Sequence, residues 1–172
     1  MISLEEAVIR KLRTTQHLLC TVESCTGGLI AHLVTNVSGA SEVFWGTYVV
    51  YDNSAKEELG VSPQTLQSQG AVSAETAKEL AERGLQRFHN NPTRMLSYSL
   101  LKPKGLICVA TTGIAGPNGG TKEKPVGLCY IGLAITGRKT IVEEFRAASP
   151  TNRIQTKTLF AQRALELIRG SV

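Results

Sequence analysis

The sequence predicts an α/β fold, a single layered domain spanning residues 1–172 in which helices flank a mixed β-sheet. Three observations lead to this prediction. The 172 residues, 42% of them hydrophobic, are enough to close one core. Short apolar runs alternate along the chain with segments of helical periodicity. Two of these runs, at 17–22 and 105–111, open into loops of serine, threonine and glycine, and such loops bind ligands where strands of α/β sheets end.

A helix, a strand and a turn are predicted at the start of the chain. Ser3 followed by Glu6 forms a capping-box pattern, which favours a helix over the next dozen residues. The apolar run HLLCTV at 17–22 predicts a buried strand, and LIAHLVTNV at 29–37 has helical spacing. The segment between them, ESCTGG at 23–28, is therefore predicted to be a strand-to-helix turn.

A second strand and a short helix are predicted next. FWGTYVVY at 44–51 is β-branched and aromatic, which is typical of a strand. Asn53 or Ser54 could cap the helix that follows, which carries Lys56 and ends at Gly60. If the first two strands are neighbours, Lys56 would lie at the same sheet edge as the ESCTGG turn.

The second half of the chain repeats this alternation. Ser73 offers a cap for a periodic helix, and HNNPTRMLSYSLLKPK at 89–104 has two prolines and is predicted to be a surface loop. The strand at 105–111 follows it. Segments 125–135 and 140–145 predict an antiparallel hairpin.

The hairpin turn and the last helix complete the prediction. Gly137 suits the tight turn of the hairpin. A C-terminal helix is expected over about 152–169, and the sequence has neither internal repeats nor low-complexity segments.

Composition argues against several classes of function. The net charge of +5 comes from dispersed Lys and Arg residues and aromatics are only 5%, so we expect no specific nucleic-acid partner and a surface suited to a small anionic substrate. No apolar run is long enough to span a membrane and the N-terminus lacks the pattern of a signal peptide, so a cytoplasmic protein without a membrane partner is expected.

Cysteine, histidine and aspartate are too scattered for a predicted metal site. The cysteines show no CxxC pair and are interpreted as structural thiols of a reducing compartment: Cys20, Cys25, Cys108 and Cys129. The histidines are far apart in sequence: His17, His32 and His89. Asp52 is the only aspartate, so zinc, two-metal and paired-carboxylate chemistry are all disfavoured.

The ESCTGG turn offers a candidate nucleophile, Ser24. A serine needs a base, and with scattered histidines and few acids the remaining candidate is Lys56, whose pKa would fall if it were buried. Two alternatives stay open: Ser24 as an ordinary helix cap and Lys56 as a solvated helix residue. Thr26 is the better-placed cap, and Cys25 is a rival nucleophile that alternation places on the opposite side of the turn.

The second loop, TTGIAGPNGG at 111–120, contains a G-x-x-G spacing without a full nucleotide-binding fingerprint. Its backbone amides, with Thr111 and Thr112, could approach a phosphate or an oxyanion. The alternative is a mobile loop without a ligand. Lys122 and Lys124 could add positive charge or serve solubility alone.

Together these segments resemble the CinA C-terminal domain family. The matching stretches run in family order: ESCTGGLIAHLVTNVSGASEVFWG, YDNSAKEELGV, QGAVSAETAKELA, TTGIAGPNGGTKEKPVGLCYIGLA and, more loosely, TNRIQTK. The resemblance implies an amidohydrolase of the pyridine nucleotide cycle that deamidates nicotinamide mononucleotide to nicotinate mononucleotide and ammonia. It also implies that no metal or cofactor is needed, and we expect a homo-oligomer.

The resemblance assigns roles to individual residues. Ser24 falls on the family's nucleophile, Lys56 on its base and Tyr51 on an assisting residue. Substrate binding is expected at a wider set of positions: Thr26, Gly27, Gly28, Ser41, Thr112, Gly113, Gly116 and Arg153.

The sequence departs from the family pattern in three places. Residues 89–104 are longer than the usual connection, and the usual Gly-Asp-Arg before the last helix is here TNR, which keeps Arg153 but loses the acid. Many bacterial members also carry an N-terminal domain resembling molybdopterin-binding proteins, and we expect any activity of that domain to be absent here. The alternative to an enzyme is a catalytically inactive nucleotide-binding or regulatory module, because the family was first connected with DNA-uptake competence.

Overall fold

The computed structural model describes residues 2–91, 103–148 and 152–172. Its helices are α1 Leu4–Thr15, α2 Leu29–Thr35, α3 Asn53–Leu59, α4 Pro63–Ser68, α5 Ala74–His89 and α6 Arg153–Ser171, with a 3₁₀ helix at Ala40–Glu42. Its strands are β1 His17–Glu23, β2 Phe44–Val49, β3 Gly105–Gly113, β4 Leu128–Ile135 and β5 Ile141–Arg146.

The five strands form one mixed sheet in the order β2-β1-β3-β4-β5. β2, β1 and β3 are parallel, whereas β4 and β5 are added antiparallel to their neighbours. The predicted mixed sheet, the neighbouring positions of the first two strands and the C-terminal hairpin are thereby confirmed. The turn of that hairpin has Gly137 at φ +75°, as its tight geometry requires.

The sheet is covered by helices on both faces. α1, α2 and α6 pack on one face, where Leu19 and Val109 belong to the core. α5 packs on the other face, where Val22 and Cys108 are buried. Because both faces are buried, β1 and β3 read as continuous apolar runs rather than as alternating patterns.

Close approach of α5 to the sheet depends on Gly84. A Cβ atom at this position would lie 2.5 Å from Cγ2 of Val22 and 2.6 Å from Sγ of Cys108. No side chain larger than hydrogen fits there without moving the helix, so Gly84 sets the spacing of this layer.

The cap predicted for α1 is present, whereas the cap predicted for α3 is not. The predicted capping box of α1 is confirmed, since the Ser3 hydroxyl accepts from the Glu6 amide at 3.2 Å and the Glu6 carboxylate accepts from the Ser3 amide at 3.0 Å. The expected cap of α3 at Asn53 or Ser54 is wrong. Asp52, one residue earlier and extended, accepts from the Ser54 amide at 2.9 Å.

α4 was not predicted, although Ser62 followed by Pro63 is a recognised helix start. The predicted loop at 89–104 falls mostly on 92–102, outside the described residues. None of the helices in the described ranges is long and apolar enough to cross a membrane.

Candidate active site

The parallel strands of the sheet end side by side, which places the predicted site at one edge. Glu23 at the end of β1 is in register with Val49 of β2 and Thr111 of β3. A cavity of about 250 Å³ lies at this edge. Its lining residues are Ser24, Cys25, Tyr51, Asn53, Lys56, Ala71, Val72, Thr112, Gly113, Ile114, Ala115, Asn118, Gly119 and Arg153.

Ser24 is held by its backbone and not by its side chain. It is 6% exposed, and its amide donates to the Thr111 carbonyl oxygen at 3.1 Å. Its hydroxyl makes no hydrogen bond to any residue in the described ranges, and it does not cap α2, whose N-cap is Gly28. The alternative role of Ser24 as a helix cap is therefore wrong, and the hydroxyl is available for chemistry.

The N-terminus of α2 is capped by the carboxylate of Glu23, which the sequence analysis did not consider. This buried carboxylate accepts hydrogen bonds from the amides of Gly28, Ile30 and Ala31 at 2.9, 3.0 and 2.9 Å. It also accepts from the Thr21 hydroxyl at 3.3 Å. Because these amides belong to the last residue of the turn and the first turn of α2, Glu23 ties the end of β1 to the start of α2 around Ser24.

The expectation that Thr26 caps α2 is also wrong. Thr26 is fully buried, and its hydroxyl pairs with that of Thr111 at 2.8 Å. The pair connects the turn after β1 to β3 and leaves Thr26 outside the set of residues that line the cavity.

Lys56 is buried, which contradicts its alternative role as a solvated residue. It is 2% exposed, and its Nζ donates to the carbonyl oxygens of Tyr51 at 2.8 Å and Asp52 at 3.4 Å. Burial lowers the pKa of Lys56 from its ordinary value of 10.5, against smaller opposing effects of Asp52 and Cys25. The neutral amine is thus easier to reach here than in a solvated lysine.

Arg153 and Tyr51 bridge two sides of the cavity. Arg153 donates through Nη2 to the Tyr51 hydroxyl at 2.9 Å and through Nη1 to the Gly116 carbonyl oxygen at 2.7 Å. Asn152 caps α6 by accepting from the Gln155 amide at 2.9 Å. Asn152 thus supplies a side-chain cap at the position where the family has an acid, and Arg153 begins the helix at the cavity.

The end of β3 and the loop that follows it are tethered through hydroxyl and ammonium groups. The Thr112 hydroxyl donates to the Ala71 carbonyl oxygen at 2.6 Å, and Nζ of Lys124 donates to the Gln69 carbonyl oxygen at 2.7 Å. The threonine hydroxyls that we considered for phosphate contact, Thr111 and Thr112, are thereby engaged with protein groups.

The structure brings together six of the residues that the sequence predicted for the site. These are Ser24, Tyr51, Lys56, Thr112, Gly113 and Arg153. The other predicted binding residues are not among those that line the cavity: Thr26, Gly27, Gly28, Ser41 and Gly116. Ser41 lies on the 3₁₀ helix and lines a separate groove beside Trp45.

Three polar or reactive residues of the cavity were missed or misplaced by the sequence analysis. Cys25 lines the same cavity as Ser24, while its Sγ atom lies in the core, 4.0 Å from that of Cys129. Asn53 and Asn118 also line the cavity without having been predicted. Asn53 was interpreted as a helix cap, and Asn118 stood in a loop whose folded path the sequence does not indicate.

Within the described ranges, no group of three or more His, Cys, Asp or Glu residues could hold a metal ion.

Comparisons with known proteins agree with the resemblance. A family model described as CinA C-terminal domain matches residues 1–172. A competence-damage inducible protein from Caldanaerobacter subterraneus subsp. tengcongensis is 46% identical over 167 residues, and a CinA-like protein from Kosmotoga olearia is 43% identical over 172 residues. The alignments cover 96% and 99% of this chain but 36% and 37% of those relatives, so the chain spans little more than a third of their length.

A solved structure shares the fold. The competence/damage inducible protein CihA from Agrobacterium tumefaciens is similar with a TM-score of 0.81 at 34% identity, over 95% of this chain and 92% of that chain.

Proposed function

Because the chain belongs to the CinA C-terminal domain family, we propose that it is an amidohydrolase that converts nicotinamide mononucleotide to nicotinate mononucleotide and ammonia. One observation carries the proposal: a serine hydroxyl without a hydrogen-bond partner in the described ranges and a buried lysine line the same cavity. A Ser-Lys nucleophile requires both groups in one site. Nζ of Lys56 donates to the Tyr51 and Asp52 carbonyl oxygens, so we expect it to turn to the Ser24 hydroxyl when substrate binds.

The proposed reaction begins with proton transfer to Lys56. The neutral amine accepts the proton of the Ser24 hydroxyl as the oxygen attacks the carboxamide carbon of the nicotinamide ring. The resulting ammonium donates this proton to the departing nitrogen, which leaves as ammonia. Water, activated by the neutral amine, then hydrolyses the ester on Ser24 and restores the enzyme.

The amide of Cys25 is the proposed donor to the tetrahedral oxyanion. It follows the nucleophile directly, as an oxyanion donor does in many acyl-transfer enzymes. Within the described ranges neither this amide nor that of Thr26 donates a hydrogen bond, whereas the amides of Gly27 and Gly28 donate to the Ser24 carbonyl oxygen and the Glu23 carboxylate.

The charge of the cavity supports an anionic substrate. Its lining residues include two cations, Lys56 and Arg153, and no carboxylate among the residues that the structure describes. A phosphate-bearing substrate suits such a surface, and a neutral Lys56 leaves Arg153 as its fixed positive charge.

The test is to incubate the protein with nicotinamide mononucleotide and to follow ammonia and nicotinate mononucleotide. We expect both products from the wild type, none above background from Ser24→Ala, and full activity from Ser68→Ala, which removes an exposed hydroxyl from α4. A lack of products from wild type, or undiminished release from Ser24→Ala, would overturn the proposal and favour an inactive binding module.

A further inference from the structure

The four free cysteines form two close pairs that differ in their access to the cavity. Cys20 and Cys108 are in register on β1 and β3, and both are completely buried on the face covered by α5. Cys25 and Cys129 lie with their Sγ atoms 4.0 Å apart on the opposite face, and Cys25 lines the cavity. An oxidant that enters the cavity therefore meets the second pair.

The geometry of Cys25 and Cys129 is close to that of a disulfide. A disulfide joins sulfur atoms about 2.0 Å apart, so the two thiols must approach by about 2 Å. Cys25 lies in the turn after β1, outside regular structure, while Cys129 is fixed on β4 opposite Gly113 of β3. The Cys25 amide donates no hydrogen bond within the described ranges, so Cys25 can shift toward Cys129 while Glu23 keeps holding the amides of Gly28, Ile30 and Ala31.

The two thiols have different roles in an oxidation. Cys25 is 5% exposed, at the cavity, and lies near enough to Lys56 to affect it electrostatically. Cys129 is completely buried, so it reaches an oxidant only through Cys25. Burial also raises the pKa of Cys129, so its attack as a thiolate is expected to be slow.

We propose that small peroxides oxidise Cys25 and that Cys25 then forms a disulfide with Cys129. This disulfide inactivates the proposed active site. Hydrogen peroxide transfers one oxygen atom to the Cys25 sulfur, giving a sulfenic acid and one molecule of water. Cys129 then attacks that sulfur, the sulfur–oxygen bond breaks, and the disulfide forms as a second water leaves. The peroxide is reduced and the two thiols are oxidised by two electrons in total.

The disulfide changes the position of the proposed nucleophile. Ser24 immediately precedes Cys25, so pulling the Cys25 sulfur toward β4 moves the hydroxyl away from the position in which we propose that it attacks. Displacements near 1 Å in an active site reduce turnover by about a hundredfold. We expect a loss of about 10- to 100-fold that thiols reverse, and this part of the inference rests on the proposed function.

The first readout does not depend on activity. The full chain is treated with hydrogen peroxide, blocked with an alkylating reagent and mapped by mass spectrometry under non-reducing conditions. We expect a peptide that links Cys25 to Cys129 and disappears with dithiothreitol. Unmodified Cys25, or Cys25 linked to another cysteine, would overturn the inference.

Two variants separate the pair from the other thiols. Cys129→Ala should keep the basal activity and form no link to Cys25. On prolonged exposure to peroxide its Cys25 sulfenic acid should take up a second oxygen atom and become a sulfinic acid, which dithiothreitol does not reduce. Cys108→Ala, a matched change at an equally buried thiol, should still form the link between Cys25 and Cys129. If Cys129→Ala forms no more Cys25 sulfinic acid than the wild type under the same prolonged exposure, the role of Cys129 is overturned.

The second readout is deamidation, followed on the same samples. Activity should fall as the linked peptide appears and return with dithiothreitol. If the protein with the Cys25–Cys129 disulfide keeps full activity, the proposed inactivation by this disulfide is overturned. A reduced wild type that makes no product, while the link still forms, would overturn the proposed function and leave the oxidation site standing.

Discussion

The two serine-, threonine- and glycine-rich loops at the cavity look alike in sequence but are held differently. In the turn after β1, Glu23 binds the backbone through three amides and the Ser24 hydroxyl has no partner among the described residues. At the end of β3, where the second loop begins, the hydroxyls of Thr111 and Thr112 are both bonded to protein groups. Because Glu23 accepts from the amides at the start of α2, the Ser24 hydroxyl is not needed as a cap and stays free to react.

The strongest test of this contrast removes one hydroxyl from each loop. Ser24→Ala should lower kcat by about 10⁴-fold or more, as for other nucleophile deletions. Thr112→Val should lower it by less than about tenfold, because its hydroxyl binds the Ala71 carbonyl oxygen and not the substrate. Steady-state kinetics on both variants, with thermal unfolding as the check on folding, measures the difference. Equal losses of kcat in the two variants would show that the two hydroxyls do not differ in their role.

Lys56 should give the next largest effect. Lys56→Met removes the base and should lower kcat by about 10²- to 10⁴-fold. Activity needs the neutral amine, so in the wild type kcat/KM should rise as pH rises through the pKa of Lys56, which burial has lowered. This rise should occur at a lower pH than the titration of a solvated lysine.

The pH–rate profiles of wild type and Lys56→Met check this prediction. The variant should lack the rise, while Lys78→Met, at an exposed lysine of α5, should keep it. A rise that survives in Lys56→Met would assign the base to another group.

Substitutions of Glu23 test whether the turn after β1 depends on this buried carboxylate. Glu23→Ala leaves three amides without their acceptor, and the free energy of unfolding should fall by roughly 3 kcal/mol. The free energy of unfolding should fall less in Glu23→Gln, since one side-chain oxygen remains an acceptor. Urea denaturation measures both, with Glu57→Ala at an exposed position of α3 as the control. A loss no larger than that of Glu57→Ala would show that the turn keeps its path without Glu23.

The smallest effect is expected for the hydroxyl pair between the loops. Thr26→Val keeps the shape of the side chain and removes one buried hydrogen bond to Thr111, which should lower the free energy of unfolding by about 1 kcal/mol. Activity should change only a few-fold. A kcat loss near that of Ser24→Ala would mean that Thr26 contacts the substrate after all.

Much of the fold could be predicted because its signals are local. The apolar runs of β1 and β3, the capping box of Ser3 and Glu6 and the turn glycine Gly137 each depend on neighbouring residues. The cap of α3 was misplaced by one residue because Asp52, Asn53 and Ser54 are all good caps, and only the backbone conformation distinguishes them.

The site was harder to predict because its decisive contacts join residues that only the folded structure brings together. Glu23 reaches amides five to eight residues ahead, a distance that only the folded turn closes. Burial of Lys56 was hidden by two adjacent glutamates, although Leu59, three residues later on the same helix face, was a usable signal. The proximity of Cys25 to Cys129 depends on the packing of β4 and has no signal in the sequence.

The most direct measurement of the central claim is to trap the covalent intermediate. The protein is mixed with nicotinamide mononucleotide, quenched in acid within one turnover and mapped by mass spectrometry, and a parallel reaction contains hydroxylamine. The account predicts an ester of the nicotinoyl nucleotide on Ser24, and a hydroxamate of the same nucleotide when hydroxylamine is present. Steady release of ammonia with neither the Ser24 ester nor the hydroxamate would contradict it.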